Sequence, residues 1–154
     1  MKSVVLFMDK AVLRKYLSAV RFELICGYLA SCRFSWGIKD DISKYSKFYF
    51  VVEGGCIITI EGREYILKPG DFALIPSGKI YSCELTREKY LLKYWCDFNA
   101  TVGNISIFDF IPTNYVIKID DTEKLQEMFH AIFYNKNYYS LAEETRKNSL
   151  LSSI

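Results

Sequence analysis

The sequence has few of the residues that build metal centres, disulfide frameworks or disordered segments. It contains one histidine, His130, with 3 Pro and 8 Gly among 154 residues. One histidine without a CxxC motif excludes an ordinary zinc cluster. A hydrophobic fraction of 51% with so little Pro and Gly excludes a disordered or collagen-like chain. The length is that of one domain with a buried core.

Basic tracts, paired cysteines and long apolar runs are also absent. The net charge is +2, which gives no nucleic-acid-binding surface in these residues. The five cysteines are an odd number without a framework spacing, which favours the reducing cytoplasm. Residues 1–8 are too short for a signal core, and no run approaches about 18 apolar residues. We therefore expect a cytoplasmic protein without a membrane partner.

Most of the chain up to about residue 120 has a strand-like pattern. Short β-branched and aromatic runs alternate with turn residues such as Pro69-Gly70 and Pro76-Ser77-Gly78. The runs cover residues 21–28, 48–53, 56–60, 63–68, 71–75, 80–85 and 90–98. Many short strands with regularly spaced turns predict a sandwich or a barrel.

The periodicity becomes helical at the two ends. Residues 9–19 have weak helical spacing, and residues 120–134 form one apolar stripe. Asp120 is a candidate N-cap with Glu123 three residues later. A second C-terminal helix is predicted over 140–154. Because that segment ends on an apolar stretch without a stop signal, we expect that the natural chain continues and that this is part of a longer protein.

The most specific motif lies in residues 70–81, where the spacing G-x5-P-x-G-x2 leads to Tyr81. It resembles the second signature of cupin barrels, with Tyr81 in place of the usual histidine. Residues 47–54 resemble the first signature, with Lys47 in place of a glutamate ligand. The resemblance implies a mainly β fold, a cupin-type double-stranded β-helix (jelly-roll barrel), followed by two C-terminal α-helices.

These departures disfavour metal chemistry, because a mononuclear cupin centre needs about three histidines and a carboxylate. His130 falls on the helical stripe's edge and is not a candidate ligand. No nucleophile–histidine set and no evident pair of carboxylates is present in the barrel segment. We therefore expect neither a cofactor nor an enzymatic activity.

Residues 22–154 resemble the N-terminal sensing domain of AraC/XylS-type transcriptional regulators. The match rests on residues 52–56, 62–65, 68–71, 74–80 and 94–99, the last of which resembles a Y-W-x-x-F-N segment. The resemblance implies an effector-binding barrel over 1–119 and linker or dimerisation helices over 120–154. It also implies that DNA is contacted only through a downstream pair of helix-turn-helix motifs, absent from these residues. The alternative is a stand-alone metal-free cupin, a small-molecule binder or a sugar isomerase or epimerase.

Alternation along the last long strand places Lys93, Trp95 and Asp97 on one face. Trp95 could stack on a sugar ring while its charged neighbours meet hydroxyls, or it could fill the core while Lys93 points outward. The other candidate ligand-binding residues, each with an ordinary core or surface role as the alternative, are Tyr81, Cys83, Tyr49, Lys47, Arg33 and Trp36. If Lys47 and Lys93 both face inward, an anionic effector such as a sugar acid becomes plausible.

The C-terminal helices have two roles in this interpretation. The stripe in 120–134 packs on the barrel, as amphipathic stripes usually do. The later apolar residues are expected to form a homodimer interface across a two-fold axis. These residues are Leu141, Leu150, Leu151 and Ile154.

Overall fold

The protein is built from two antiparallel β-sheets, with one α-helix before the first strand and another after the last strand. The computed structural model describes residues 10–134, 148 and 151–154. The α-helices are α1 (Lys10–Ser18) and α2 (Thr122–Tyr134), and a short 3-10 helix spans Ile107–Asp109. The strands are β1 (Arg21–Arg33), β2 (Gly37–Ile42), β3 (Ser46–Gly54), β4 (Cys56–Ile60), β5 (Arg63–Leu67), β6 (Asp71–Ile75), β7 (Ile80–Leu85), β8 (Tyr90–Val102), β9 (Ile105–Ser106) and β10 (Val116–Lys118).

The two sheets have interleaved connectivity. One sheet has the order β1-β8-β3-β6-β10, with β9 paired to β8, and the other has the order β2-β7-β4-β5. Successive strands therefore cross repeatedly between the sheets, as in a jelly roll. The predicted mainly β fold class is confirmed. None of the helices in the described part of the chain is long and apolar enough to span a membrane.

The predicted strands agree with the structure wherever turn residues bound them. The bounds of β4, β6 and β7 match those predicted, whereas β1 and β8 extend several residues further. Strand β2 was not predicted. Its residues are mostly exposed, and a register shift between Ile38 and Asp41, with Asp40 at a positive φ of 48°, breaks the alternation that marks a strand.

The space between the sheets is filled by an inner cluster of buried side chains. It consists of Cys32, Tyr49, Val51, Cys56, Ile58, Ile60, Leu67, Ala73, Ile75, Tyr81, Cys83 and Leu91. Because strand side chains alternate, the neighbours of the inner residues on β3 and β8 point to the opposite face of their sheet. That outer face is apolar as well, so another element of the fold must pack against it to shield it from water.

Helix α2 covers the outer face with the predicted stripe. Phe129 is fully buried, and its ring centroid lies 5.0 Å from that of Phe48, 5.7 Å from Phe50 and 5.1 Å from Tyr94. The helix begins one residue later than the predicted cap implied, because the Asp121 carboxylate, not that of Asp120, accepts a hydrogen bond from the backbone N–H of Lys124 at 3.1 Å.

The predicted second C-terminal helix lies largely outside the described residues. Leu141 and Leu150 lie outside the described residues, so their part in an interface stays a prediction. Leu151 is buried within this chain and belongs to the cluster under α2, whereas Ile154 is 40% exposed. The boundary between a barrel over 1–119 and a helical segment over 120–154 stays a prediction.

Phe129 should be a main contributor to stability. Replacing a buried phenylalanine by alanine removes transfer free energy and leaves a cavity, so Phe129→Ala should lower the free energy of unfolding by about 3–5 kcal/mol in urea denaturation. The control is Phe34→Ala, because Phe34 is 82% exposed and should change stability by less than about 0.5 kcal/mol. Equal effects of the two substitutions would contradict the assignment of the core.

Candidate functional site

A cavity of about 490 Å³ opens at one side of the space between the sheets. That volume lies within the range typical of small-molecule sites. Its wall is formed by residues 28–32 of β1, Trp36 before β2, Ile38 of β2, Lys47 and Tyr49 of β3, and Lys93, Trp95 and Asp97 of β8. Both tryptophans of the chain therefore line the same cavity.

The register of β3 against β8 brings the charged and aromatic residues of the site together. Lys47 lies opposite Asp97, Tyr49 opposite Trp95, and Val51 opposite Lys93. Directly opposed side chains on one face of an antiparallel pair lie close enough to interact. Strands β3 and β8 thus supply all the charged side chains of the cavity and two of its aromatic ones.

Lys47 and Asp97 form an ion pair in the cavity wall. The Lys47 Nζ lies 2.5 Å from the Asp97 Oδ1, and the two side chains are 11% and 17% exposed. The same Nζ lies 5.8 Å from the Trp95 ring centroid and 6.0 Å from that of Tyr81. The pair is neutral as a unit, but it presents both a donor and an acceptor to the cavity.

Lys93 is the second cation of the cavity, and in contrast to Lys47 it is surrounded mainly by aromatic rings. It is 3% exposed, with Nζ 3.2 Å from the Tyr49 ring centroid and 4.2 Å from that of Trp36. Among the residues that the structure describes, no carboxylate oxygen lies within 4.0 Å of this ammonium. Burial lowers the pKa of Lys93 to about 8, and the charge of Lys47 adds to that effect.

The interior behind the cavity holds neutral polar groups. Burial raises the pKa of Cys56 to about 11 and that of Cys83 to about 12, so both remain thiols near neutral pH. Burial also raises the pKa of Tyr49 and of Tyr81. The neighbouring Asp41 carboxylate adds to the rise in the pKa of Tyr81.

Five of the eight predicted ligand-binding residues line the cavity, namely Trp95, Lys93, Tyr49, Lys47 and Trp36. Tyr81 and Cys83 point into the interior, as predicted, but they belong to the packed inner cluster and do not line the cavity. Arg33 does not line it either. Its neighbour Cys32 is the inward residue at that end of β1, and the exposed Arg33 guanidinium lies 4.9 Å from the Tyr90 ring centroid.

Sequence reasoning did not find the contribution of β1. Tyr28 packs edge-on against Trp95, with ring centroids 4.9 Å apart, because the two residues are opposite each other in the β1–β8 pairing. Asp97 was placed on the correct face, but its pairing with Lys47 was not foreseen. Both contacts depend on strand register, which a single sequence does not encode in a readable pattern.

The residues present do not fit the metal that cupin barrels commonly hold. Lys47 occupies the position that the resemblance assigns to a glutamate ligand, and its ammonium is paired with Asp97. Tyr81 occupies the histidine position, and because burial and the Asp41 carboxylate raise the pKa of its hydroxyl, it keeps its proton near neutral pH. His130 is exposed on α2, and the described residues contain no group of three His, Cys, Asp or Glu side chains placed to hold an ion.

Comparison with known proteins agrees with this architecture. Residues 38–93 match the family model described as "Cupin domain". No curated protein sequence matches the chain. The fold is thus a cupin-type barrel, and the segment that matches the family contains the two signature-like stretches.

Among solved structures, a cupin superfamily protein from Desulfitobacterium hafniense is 15% identical, with a TM-score of 0.42, over 51% of this chain and 75% of that one. A putative glyoxylate-induced protein from Pseudomonas aeruginosa is 19% identical, with a TM-score of 0.48, over 65% of this chain and 41% of that one. The cupin domain of Schizosaccharomyces pombe Cnp3 is 12% identical, with a TM-score of 0.42, over 79% of this chain and 66% of that one.

The lowered pKa of Lys93 makes its contribution to stability pH-dependent. Between about pH 8 and its ordinary value of 10.5, the unfolded chain keeps a proton that the folded protein has released. Stability rises with pH wherever the unfolded state binds more protons, so the contribution of Lys93 should be complete above 10.5 and be lost as the pH falls through about 8.

Urea denaturation of wild type and Lys93→Met at a series of pH values between about 7 and 10 measures this effect. The free energy of unfolding of wild type minus that of the variant should increase with pH. The buried tyrosines titrate with the opposite sign in both proteins, so they cancel to first order in the difference. The thiols of Cys32, Cys56 and Cys83 also titrate with the opposite sign. Loss of the Lys93 charge raises their pKa further in the variant, which adds to the increase of the difference with pH. A difference that is constant or that decreases with pH would contradict the burial of a charged Lys93.

Proposed function

We propose that this chain is the small-molecule-binding domain of an AraC-type transcriptional regulator, in which the cavity holds the effector and the C-terminal helices transmit its presence to a DNA-binding domain. The observation that carries the proposal is structural. The two strands that form the charged and aromatic wall of the cavity are the same strands on which α2 rests.

The cavity has the composition of a site for a small polar molecule with an apolar face. Trp36, Tyr49 and Trp95 supply flat apolar surfaces, and Lys47, Lys93 and Asp97 supply hydrogen-bonding groups. This combination suits binding and orientation. Because the groups that would do acid–base work are already engaged in an ion pair or surrounded by rings, it supports a binding module in preference to an enzyme.

The alternation of β3 and β8 offers a direct route from the cavity to α2. Tyr94 lies between the cavity residues Lys93 and Trp95 and packs against Phe129. Phe48 and Phe50 flank the cavity residue Tyr49, and both also contact Phe129. A displacement of either strand by a ligand would therefore reach the helix across one layer of side chains.

Strand β1 offers a second route at the end of the helix. The Tyr134 hydroxyl accepts a hydrogen bond from the backbone N–H of Leu29 at 3.1 Å, and Leu29 is part of the cavity wall. Nearby, a Cβ on Gly27 would lie 2.5 Å from the Trp95 carbonyl oxygen and 2.7 Å from the Phe133 ring. Glycine at this position allows the helix to approach the strand pair that carries Trp95.

In this proposal the effector changes the population of conformations of α2 and of the segment that follows it. A ligand shifts such an equilibrium only by its difference in affinity for the two conformations. The resemblance to AraC/XylS sensing domains supports a downstream DNA-binding domain with two helix-turn-helix motifs as the partner. A stand-alone binding cupin is the alternative, and the reading frame beyond Ile154 distinguishes the two.

Ligand binding should be detectable in the isolated chain. In a screen of sugars, hydroxy acids and aromatic compounds, a ligand at about 100 times its Kd should stabilise the fold by about 2.7 kcal/mol, seen as a rise in Tm. It should also change the tryptophan fluorescence, since both tryptophans line the cavity. Trp95→Ala should weaken binding at least tenfold, whereas the matched variant Tyr45→Ala, outside the cavity, should not. The proposal would be overturned if the two substitutions weakened binding equally, or if no compound of any class bound.

The proposed homodimer can be tested at Ile154, which is 40% exposed. Ile154→Glu should shift the mass measured by light scattering from dimer toward monomer, because a charge in an apolar interface is costly. Ile66→Glu is the matched control, since Ile66 is 57% exposed on β5. Leu151 is a poor probe because its substitution would also disturb the fold. A wild-type monomer at micromolar concentration would contradict the interface.

A further inference from the structure

The site is specific enough to suggest the chemical class of its ligand. We propose that the cavity binds a hydroxylated carboxylate, such as a sugar acid, with the carboxylate at Lys93, the hydroxyls at the Lys47–Asp97 pair and the apolar face on Trp95. This inference rests on the proposed function and narrows the effector from a small molecule to an anion that carries hydroxyl groups.

The charges of the cavity wall favour one negative charge on the ligand. Three charged side chains line the cavity, and Asp97 is already paired with Lys47 at 2.5 Å. Lys93 is left without a carboxylate partner among residues 10–134, 148 and 151–154. The cavity therefore has one positive charge in excess, and a monoanion would neutralise it.

Burial makes this excess charge costly without a ligand. Lys93 is 3% exposed, and the faces of Tyr49 and Trp36 replace only part of its hydration through cation–π contacts. The pKa of Lys93, lowered to about 8, reflects the same cost. A carboxylate entering the cavity would restore an opposite charge to the ammonium, so the anion is stabilised where a neutral group of the same shape is not.

The spacing of groups along β8 sets the length of the ligand. Lys93, Trp95 and Asp97 are alternate residues, so the Cα atoms of Lys93 and Asp97 are about 13 Å apart, with Trp95 between them. Both groups line the same cavity, so a ligand that contacts both must extend past Trp95. A carboxylate alone would leave the ion pair without a partner in the ligand, whereas hydroxyl groups can accept from Lys47 and donate to Asp97.

The test compares acids with their uncharged counterparts on the whole chain. The probes are D-glucuronate, D-galacturonate and D-gluconate against D-glucose, D-galactose and sorbitol, with benzoate and acetate as acids that lack hydroxyls. Binding is read from tryptophan fluorescence and Tm. At least one hydroxy acid should bind tenfold or more tightly than its counterpart, and Lys93→Met should lower its affinity at least tenfold.

Lys79→Met is the matched control, because Lys79 lies outside the cavity and pairs with Glu61 at 3.8 Å. It should leave the affinity for the acid unchanged. If Lys93→Met fails to fold, the comparison of each acid with its counterpart on wild type decides the question.

The unfavourable outcomes separate this inference from the proposed function. Two outcomes would overturn the hydroxy-acid inference: neutral sugars that bind as tightly as the corresponding acids, and binding of benzoate or acetate without binding of the hydroxy acids. Either outcome would still be consistent with an effector-binding cavity. A failure of every acid, sugar and aromatic compound to bind would count against the cavity as an effector site.

Discussion

The alternation of side chains along β3 and β8 is the constraint on which the rest of the structure depends. Each strand is buried on both faces, but the faces meet different surroundings, a polar and aromatic cavity on one side and the aromatic cluster under α2 on the other. A shift of register by one residue would exchange Lys93 with Tyr94 and place a charge beneath the helix. The core and the site therefore specify the same register, and neither could change alone.

The cavity combines two lysines that have the same charge but different chemical roles. Lys47 is balanced by Asp97 and serves as a fixed polar contact. Among the described residues, Lys93 has no carboxylate partner and lies against two ring faces with the thiols of Cys32, Cys56 and Cys83 nearby, so in the proposed site its charge is available to a ligand. In the proposed site, the Lys47–Asp97 pair would therefore fix the positions of the ligand's hydroxyl groups, whereas Lys93 would select for a negative charge. This separation explains how a barrel without the histidines of a metal centre can retain a polar interior.

The sequence predicted those parts of the fold that local chemistry determines. Turn residues set the ends of β4, β6 and β7, and the apolar stripe identified α2. The inward face of β8 followed from alternation. Long-range register and irregular backbone were not predictable, so the Tyr28–Trp95 contact, the bulge in β2 and the Lys47–Asp97 pair were missed. The prediction that Arg33 contacts a ligand stays untested, but its side chain lies outside the cavity wall because alternation along β1 turns Cys32 inward and Arg33 outward.

The Lys47–Asp97 pair also has an evolutionary consequence. Loss of the lysine charge alone would leave the cavity neutral overall, and loss of the carboxylate alone would leave it with two positive charges. Single substitutions at these two opposed positions could therefore redirect the same barrel toward uncharged or doubly charged compounds. Neither position contributes to the aromatic packing beneath α2, so such changes in specificity would leave the contact between the sheet and its covering helix intact.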